Sequence, residues 1–250
     1  MRHWIIPWVF LVATGLGAAE YNPPPQHKAE YTIDKGPFTV ARATTRFYPA
    51  GDSAYLYRLH ARTTGIARLF AGMRVRERSR GLITDQGYRP KRYTQHQTGG
   101  DKAQSTEIEF DWQQGRVRNK AGEPAWDLKI PKGTLDRLVS PLQLMYDLSV
   151  GGESERRMTY HIADDGELKS YTVRIGERRE VVTPAGRFEA VQVVRRSSNG
   201  KRETRLWCAP ALAYLPVKIT QREDDEDDLT LLLESVDGLS REASSRFAAE

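Results

Sequence analysis

One cysteine, Cys208, stands in a chain of 250 residues, which excludes an internal disulfide framework and any multi-cysteine metal site. The five histidines, His3, His27, His60, His96 and His161, are isolated and form no His-Glu-x-x-His or His-x-His spacing. A metal site would therefore have to be assembled from distant strands, and none is expected. There is no Walker-type glycine loop, no dinucleotide fingerprint and no Gly-x-Ser-x-Gly elbow, so no cofactor is indicated and the common nucleotide and hydrolase motifs are missing. Scattered catalytic residues stay open as an alternative, because carboxylate pairs need no sequence spacing. Charge of one sign is also scarce: 38 Lys and Arg against 33 Asp and Glu leave +5, too small an excess to name a nucleic-acid partner. No repeat of fixed period and no low-complexity linker interrupts residues 28–237.

What is present is the balance of a soluble globular chain, with 39% hydrophobic and 28% charged residues, 13 Pro and 20 Gly. That excludes a disordered, collagen-like or polytopic membrane protein. Residues 1–19 open with Arg2 and His3, run through the apolar stretch from Trp4 to Ala13 and close on Gly17-Ala18-Ala19, the pattern of a cleavable signal peptide with Glu20 as the first mature residue. The run is shorter than a spanning helix needs and carries Pro7, and no cysteine follows it to accept a lipid. A periplasmic or secreted location is expected. Residues 20–27, with Asn22-Pro23-Pro24-Pro25, read as an extended spacer, residues 28–237 as a single β-rich domain with a division near Gly151-Gly152 as the alternative, and residues 238–250 as a fraying tail.

Turn signals recur every 8–14 residues between β-branched and aromatic runs, which predicts an antiparallel meander. Strands are expected at 29–33, 38–48, 53–64, 105–112, 116–119, 157–162, 168–175, 180–183, 187–196 and 201–207, with Asp165-Gly166 and Asn199-Gly200 as hairpin turns. Ser140-Pro141-Leu142-Gln143 predicts a capping box opening a helix over 141–149 that Gly151-Gly152 stops. Leu142, Met145 and Tyr146 share one face of it and should pack on the sheet. Ile66 to Ala71, between Gly65 and Gly72, is a second helical candidate, too short to stand alone, with an apolar loop over the mouth of a curved sheet as the alternative. Cys208, in Leu206-Trp207-Cys208-Ala209, reads as a buried thiol rather than a nucleophile.

Three features are candidates for binding. Arg74, Arg76, Arg78 and Arg80 fall at every second position, so on a strand they share one face about 7 Å apart. Such a row suits phosphates, carboxylates or acidic saccharides; the competing reading is a solvated face paired with acids on neighbouring strands. Tyr55 and Tyr57, with Leu59 on the same face and Phe47 and Tyr48 on the strand before, form an aromatic wall for an acyl chain or glycan ring, or else core. Glu223 to Asp228 is a run of six acids, a calcium candidate without the glycine and spacing of a known loop, hence a solvated turn.

Thr183-Pro184-Ala185-Gly186-Arg187-Phe188-Glu189-Ala190-Val191, Lys201 to Trp207, Ala209-Pro210 and Tyr214-Leu215-Pro216-Val217-Lys218-Ile219 resemble the domain-of-unknown-function family numbered 3108, and Ala29-Glu30-Tyr31 and Ser140-Pro141-Leu142 fit it too. The resemblance spans residues 28–235 and implies an exported, all-β envelope protein of Gram-negative bacteria, with no activity or site residue attached. The expectation is a curved antiparallel sheet or partly open barrel with one helix on its concave side. Its hollow would bind an amphiphile or envelope glycan without catalysis, the arginine row lying at the polar edge. The alternatives are a module that docks another envelope protein and an envelope hydrolase.

Overall fold

Short turns between alternating runs leave each strand no partner nearer than its sequence neighbour, and the chain pairs accordingly. The computed structural model describes residues 23–51, 53–65, 72–100, 103–121, 126–153, 157–196, 202–223 and 228–239. The predicted signal peptide, the 66–71 segment, the Asn199-Gly200 turn and the tail from residue 240 lie outside them, as does most of the acidic run. The strands are β1 (His27–Lys35), β2 (Phe38–Ala50), β3 (Ala54–Thr63), β4 (Arg74–Thr84), β5 (Gly87–Thr98), β6 (Gln104–Asp111), β7 (Arg116–Ala121), β8 (Asp127–Lys129), β9 (Leu135–Asp136), β10 (Arg157–Asp164), β11 (Glu167–Thr183), β12 (Gly186–Arg196), β13 (Arg202–Ala209), β14 (Leu215–Glu223) and β15 (Leu229–Asp237), with helix α1 at Ser140–Val150.

They form one sheet in the order β8-β7-β6-β5-β4-β3-β2-β1-β15-β14-β13-β12-β11-β10-β9. Two meandering arms are thus joined where the first strand pairs with the last, Lys28 opposite Asp237 and Lys35 opposite Leu229. Among the described residues the expected all-antiparallel pairing has one exception. β9 runs parallel to β10, Leu135 beside Ile162, because α1 is the crossover between them, and a parallel neighbour requires such a crossover. The strands predicted at 168–175 and 180–183 are one strand, β11: a register shift between Ile175 and Arg178 absorbs Gly176 and Glu177, and pairing with β12 continues beyond it.

The sheet is open and curved, and α1 fills its concave side. Leu142, Met145 and Tyr146 pack with Phe47, Tyr55, Tyr57, Tyr88 and Tyr93 of the first arm. Leu144 and Leu148 pack with Met158, Val173, Ile175, Val191, Val193 and Cys208 of the second. A helix apolar on both faces is a plug rather than a surface helix. The predicted capping box does not form. Ser140 Oγ donates to the Arg137 carbonyl at 3.1 Å, and the free amides before the helix, Leu138 N–H and Val139 N–H, donate to Asp136 Oδ1 at 2.9 Å each. Gln143 is drawn away to the β4–β5 turn, accepting from Tyr88 N–H at 2.7 Å and donating to the Gln86 carbonyl at 3.3 Å. Gly87, at φ +95°, makes room for it: a Cβ there would sit 2.3 Å from the Gln143 amide oxygen.

Buried polar groups bolt the two arms together. Ser79 on β4 donates to Asp136 Oδ2 at 2.6 Å and meets the Tyr55 hydroxyl at 3.0 Å. Beside them Arg137 pairs with Glu77 and lies 4.0 Å from Asp164, which Lys169 neutralises at 3.1 Å. Each carboxylate sealed here has donors, the condition under which burial of a charge is tolerated.

Candidate functional site

The strand period sorts the candidate residues before any tertiary contact is considered. On β4, Glu77, Ser79 and Gly81 are buried while Arg74, Arg76, Arg78 and Arg80 are exposed, so the four arginines do share one face, the outer one. Tyr55 and Tyr57 lie opposite Gly81 and Ser79 and point inward. The structure therefore separates the two groups that the sequence suggested as one site. Tyr57 is core, with its ring edge-on to Phe47 at 6.3 Å and its hydroxyl pushed up to about 12 by burial. Tyr55 packs edge-on to Tyr88 at 5.2 Å.

Neighbouring strands do not neutralise the arginine row. Register places Arg74 opposite Arg62, Arg76 opposite His60, Arg78 opposite Arg58 and Arg80 opposite Leu56; on the other side the partners are Thr98, His96, Thr94 and Arg92. One strand further, Arg42 faces Arg62 and Arg46 faces Arg58. Among the described residues, Arg46, Arg62, Arg74, Arg76, Arg78 and Arg80 make no ion pair, whereas Arg42 pairs with Glu234, Arg92 with Glu107 and Lys28 with Glu30. Partial burial, then the guanidinium groups of Arg76, Arg46, Arg58 and Arg78, hold His60 below the usual imidazole range. Like charges directly across a sheet are destabilising, and a face that keeps them so breaks a local rule in the way binding sites do.

Where the outer and inner faces meet, at one end of β4, Arg80 and Tyr55 do come together. Pro90 in β5 has no amide to donate, and β5 and β6 pair only from Arg92 opposite Glu109 to Gln97 opposite Gln104. Beyond Arg92 the two strands part. The gap is a cleft of about 670 Å³ lined by Tyr55, Arg80, Leu82, Lys91, Arg92, Phe110 and Trp112 among others. Trp112 is fixed there, its Nε1–H donating to the Pro90 carbonyl at 2.6 Å. Its ring is stacked on Phe110 at 5.8 Å and covered by Arg89 at 5.0 Å. The backbones of β4 and β5 approach closely beside it: a Cβ on Gly81 would lie 2.2 Å from the Arg89 carbonyl oxygen.

The acids at the cleft are already engaged, Asp111 with Arg118 at 3.8 Å and Glu109 with Lys120 at 3.4 Å. Arg80 and Lys91 make no ion pair among the described residues, and both are exposed in the lining of the cleft. The cleft can hold an apolar body and meet an anionic head. Sequence reasoning missed Trp112, Phe110, Leu82, Lys91 and Arg92. The signal for them was Pro90, a residue that opens a gap in ladder pairing.

The titratable and nucleophilic groups that stand out elsewhere in the fold lie outside the lining of this cleft. Burial pushes Asp136 up to about 7 against the opposing pull of Ser79 and the Val139 and Leu138 amides, but its side chain is sealed, with the residue 0% exposed. His161 Nδ1 meets Ser170 Oγ at 2.9 Å, a cross-strand pair on β10 and β11 that does not line the cleft. The Cys208 thiol is buried, and burial raises it well above the ordinary thiol range, which makes it inert as a nucleophile. At the end of the acidic run, Asp228 accepts from Arg222 at 3.1 and 3.2 Å. No helix among the described residues is long and apolar enough to cross a membrane.

No curated protein is significantly similar in sequence. Among solved structures, a β-barrel-like protein of domain of unknown function DUF1849 from Brucella abortus overlaps with a TM-score of 0.54 at 13% identity, covering 86% of this chain and 98% of that one. The likeness is one of fold. A candidate lipoprotein from Parabacteroides distasonis gives 0.33 at 10% identity, with 86% and 97% covered, and a candidate exported protein with a YmcC-like fold from Bacteroides fragilis gives 0.34 at 11%, with 86% and 98% covered. Residues 30–234 match the family described as Protein of unknown function (DUF3108), in agreement with the resemblance carried by the Pro-Ala-Gly and Leu-Pro segments, and the chain belongs to that family.

Proposed function

We propose that this protein is a non-catalytic binding protein of the bacterial envelope whose ligand is an anionic amphiphile, held in the cleft between β5 and β6. One observation carries the reading: a cleft of about 670 Å³ whose lining brings Phe110, Trp112, Leu82 and Tyr55 together with Arg80, Lys91 and Arg92. Its size is that of small-molecule sites, roughly 300–1,000 Å³. The location in the envelope rests on the signal-peptide pattern of residues 1–19. Compared with the hollow first expected, the ligand moves to the rim, because α1 and the tyrosines occupy the concave side. Docking of another protein by strand addition is less favoured, since the terminal strands β8 and β9 are three and two residues long and short edges offer few free amides.

Two measurements test it. Native mass spectrometry of protein taken from its own periplasm is expected to show a stoichiometric acidic lipid or glycolipid adduct. Dodecyl phosphate, used as a defined probe, is expected to quench tryptophan fluorescence and to bind about tenfold or more weakly to Trp112→Ala and Arg80→Glu. A bare mass together with equal probe binding by the wild type and both variants would overturn the reading.

A further inference from the structure

We propose that the outer face of β1–β4 carries a second site, distinct from the cleft, that binds clustered phosphate groups in the groove between Arg42, Arg46, Arg62, Arg74 and Arg76. The groove measures about 490 Å³. Its lining holds five arginines and His60 against two glutamates, Glu30 and Glu234. Both acids are already engaged: Glu234 with Arg42, and Glu30 with Lys28 and with the Ser235 hydroxyl at 2.8 Å. Four of the five guanidinium groups, on Arg46, Arg62, Arg74 and Arg76, are left without an ion pair among the described residues. One row away, Arg58 Nε is buried with no hydrogen-bond partner.

The chemistry selects the ligand class. The apolar lining is limited to small parts of Ala43, Ala61, Val75 and Tyr31, so nothing here recognises an acyl chain, unlike the aromatic cleft. Adjacent strands bring guanidinium groups about 5 Å apart and successive outward positions about 7 Å apart, a two-dimensional array rather than a line. A single carboxylate would neutralise one member. Phosphate groups carry more charge and several acceptor oxygens each, and the guanidinium fork matches them bidentately. An oligophosphate free in solution and a layer of phospholipid headgroups present the same chemistry.

The test uses the full mature chain at low ionic strength. Inorganic tripolyphosphate is titrated by calorimetry, and vesicles of phosphatidylcholine with and without phosphatidylglycerol are assayed by co-sedimentation. Binding of tripolyphosphate, lost about tenfold or more in Arg62→Glu/Arg76→Glu and unchanged in Trp112→Ala, supports the site with free phosphate sufficient. Binding only to phosphatidylglycerol vesicles, with the same dependence on the variants, supports it with lipid headgroups as the source. No binding of either probe, or equal binding by the double variant, overturns it. A readout independent of any variant's folding is the His60 imidazole followed by NMR in the wild type. Bound phosphate is expected to raise its pKa by shielding it from the surrounding guanidinium groups, and an unmoved titration at saturating tripolyphosphate overturns the proposal. Because Trp112→Ala disables only the cleft, failure of this site and failure of the amphiphile reading give different results.

Discussion

Ser79 donates a 2.6 Å hydrogen bond to Asp136, and with that bond β4 of the first arm is tied to β9, the last strand of the second. The two residues lie 57 positions apart in sequence, on strands ten places apart in a 15-stranded order. The same carboxylate accepts the amides ahead of α1, so one side chain fixes both the tucked sheet edge and the start of the helical plug.

Ser79→Ala removes that donor and strands an acceptor in a sealed site. The expected cost is about 1–3 kcal/mol, read as a lower urea midpoint with an unchanged slope. An equal loss in Ser79→Ala and in the double variant with Asp136→Asn would show that the two residues act as one unit.

Asp136 also makes stability depend on pH. Its folded value is about 7, against roughly 4 in an unfolded chain. Between those values the folded protein holds a proton that the unfolded chain has released, so this group's contribution is complete below pH ~4 and is lost as pH rises to about 7. The loss is at most about 4 kcal/mol for a shift of this size. Asp136→Asn is expected to flatten the stability profile across that window, measured by chemical unfolding at successive pH values.

Arg78 stands opposite Arg58 with no acid to relieve it among the described residues. Arg78→Glu is expected to raise stability by about 0.2–1 kcal/mol at low ionic strength. The gain should shrink as salt is added, since exposed charges are screened over roughly 10 Å at 0.1 M. A destabilised variant, or a gain indifferent to salt, would show that the row is not under repulsive strain.

Cys208 is buried between the helix and the second arm, with its thiol raised by burial. Native protein is expected to resist a thiol reagent at neutral pH and to react stoichiometrically once unfolded. The reaction rate therefore measures opening of the α1 contact with β12 and β13.

The sequence by itself determined the class of the molecule. Alternation in Met73 to Arg80 put four arginines on one face, because successive strand residues must point to opposite sides. The turn residues at Lys35-Gly36-Pro37 and Asp165-Gly166 set the meander, because they bend the chain wherever they stand. The capping box at Ser140 was misread for the same local reason: the spacing was right, but the helix begins one residue earlier, so Gln143 N–H donates to the Val139 carbonyl at 3.1 Å and the Gln143 side chain is drawn to Tyr88. Only the tertiary structure decided which face of β4 is buried and what lies across from each arginine, since both depend on register with β3 and β5. It alone placed Trp112 and Phe110 beside Arg80, where Pro90 lets β5 and β6 part. Ser79 and Asp136 carry no mutual signal in the sequence, because a hydrogen bond across 57 residues follows from how the sheet curls rather than from anything local to either one.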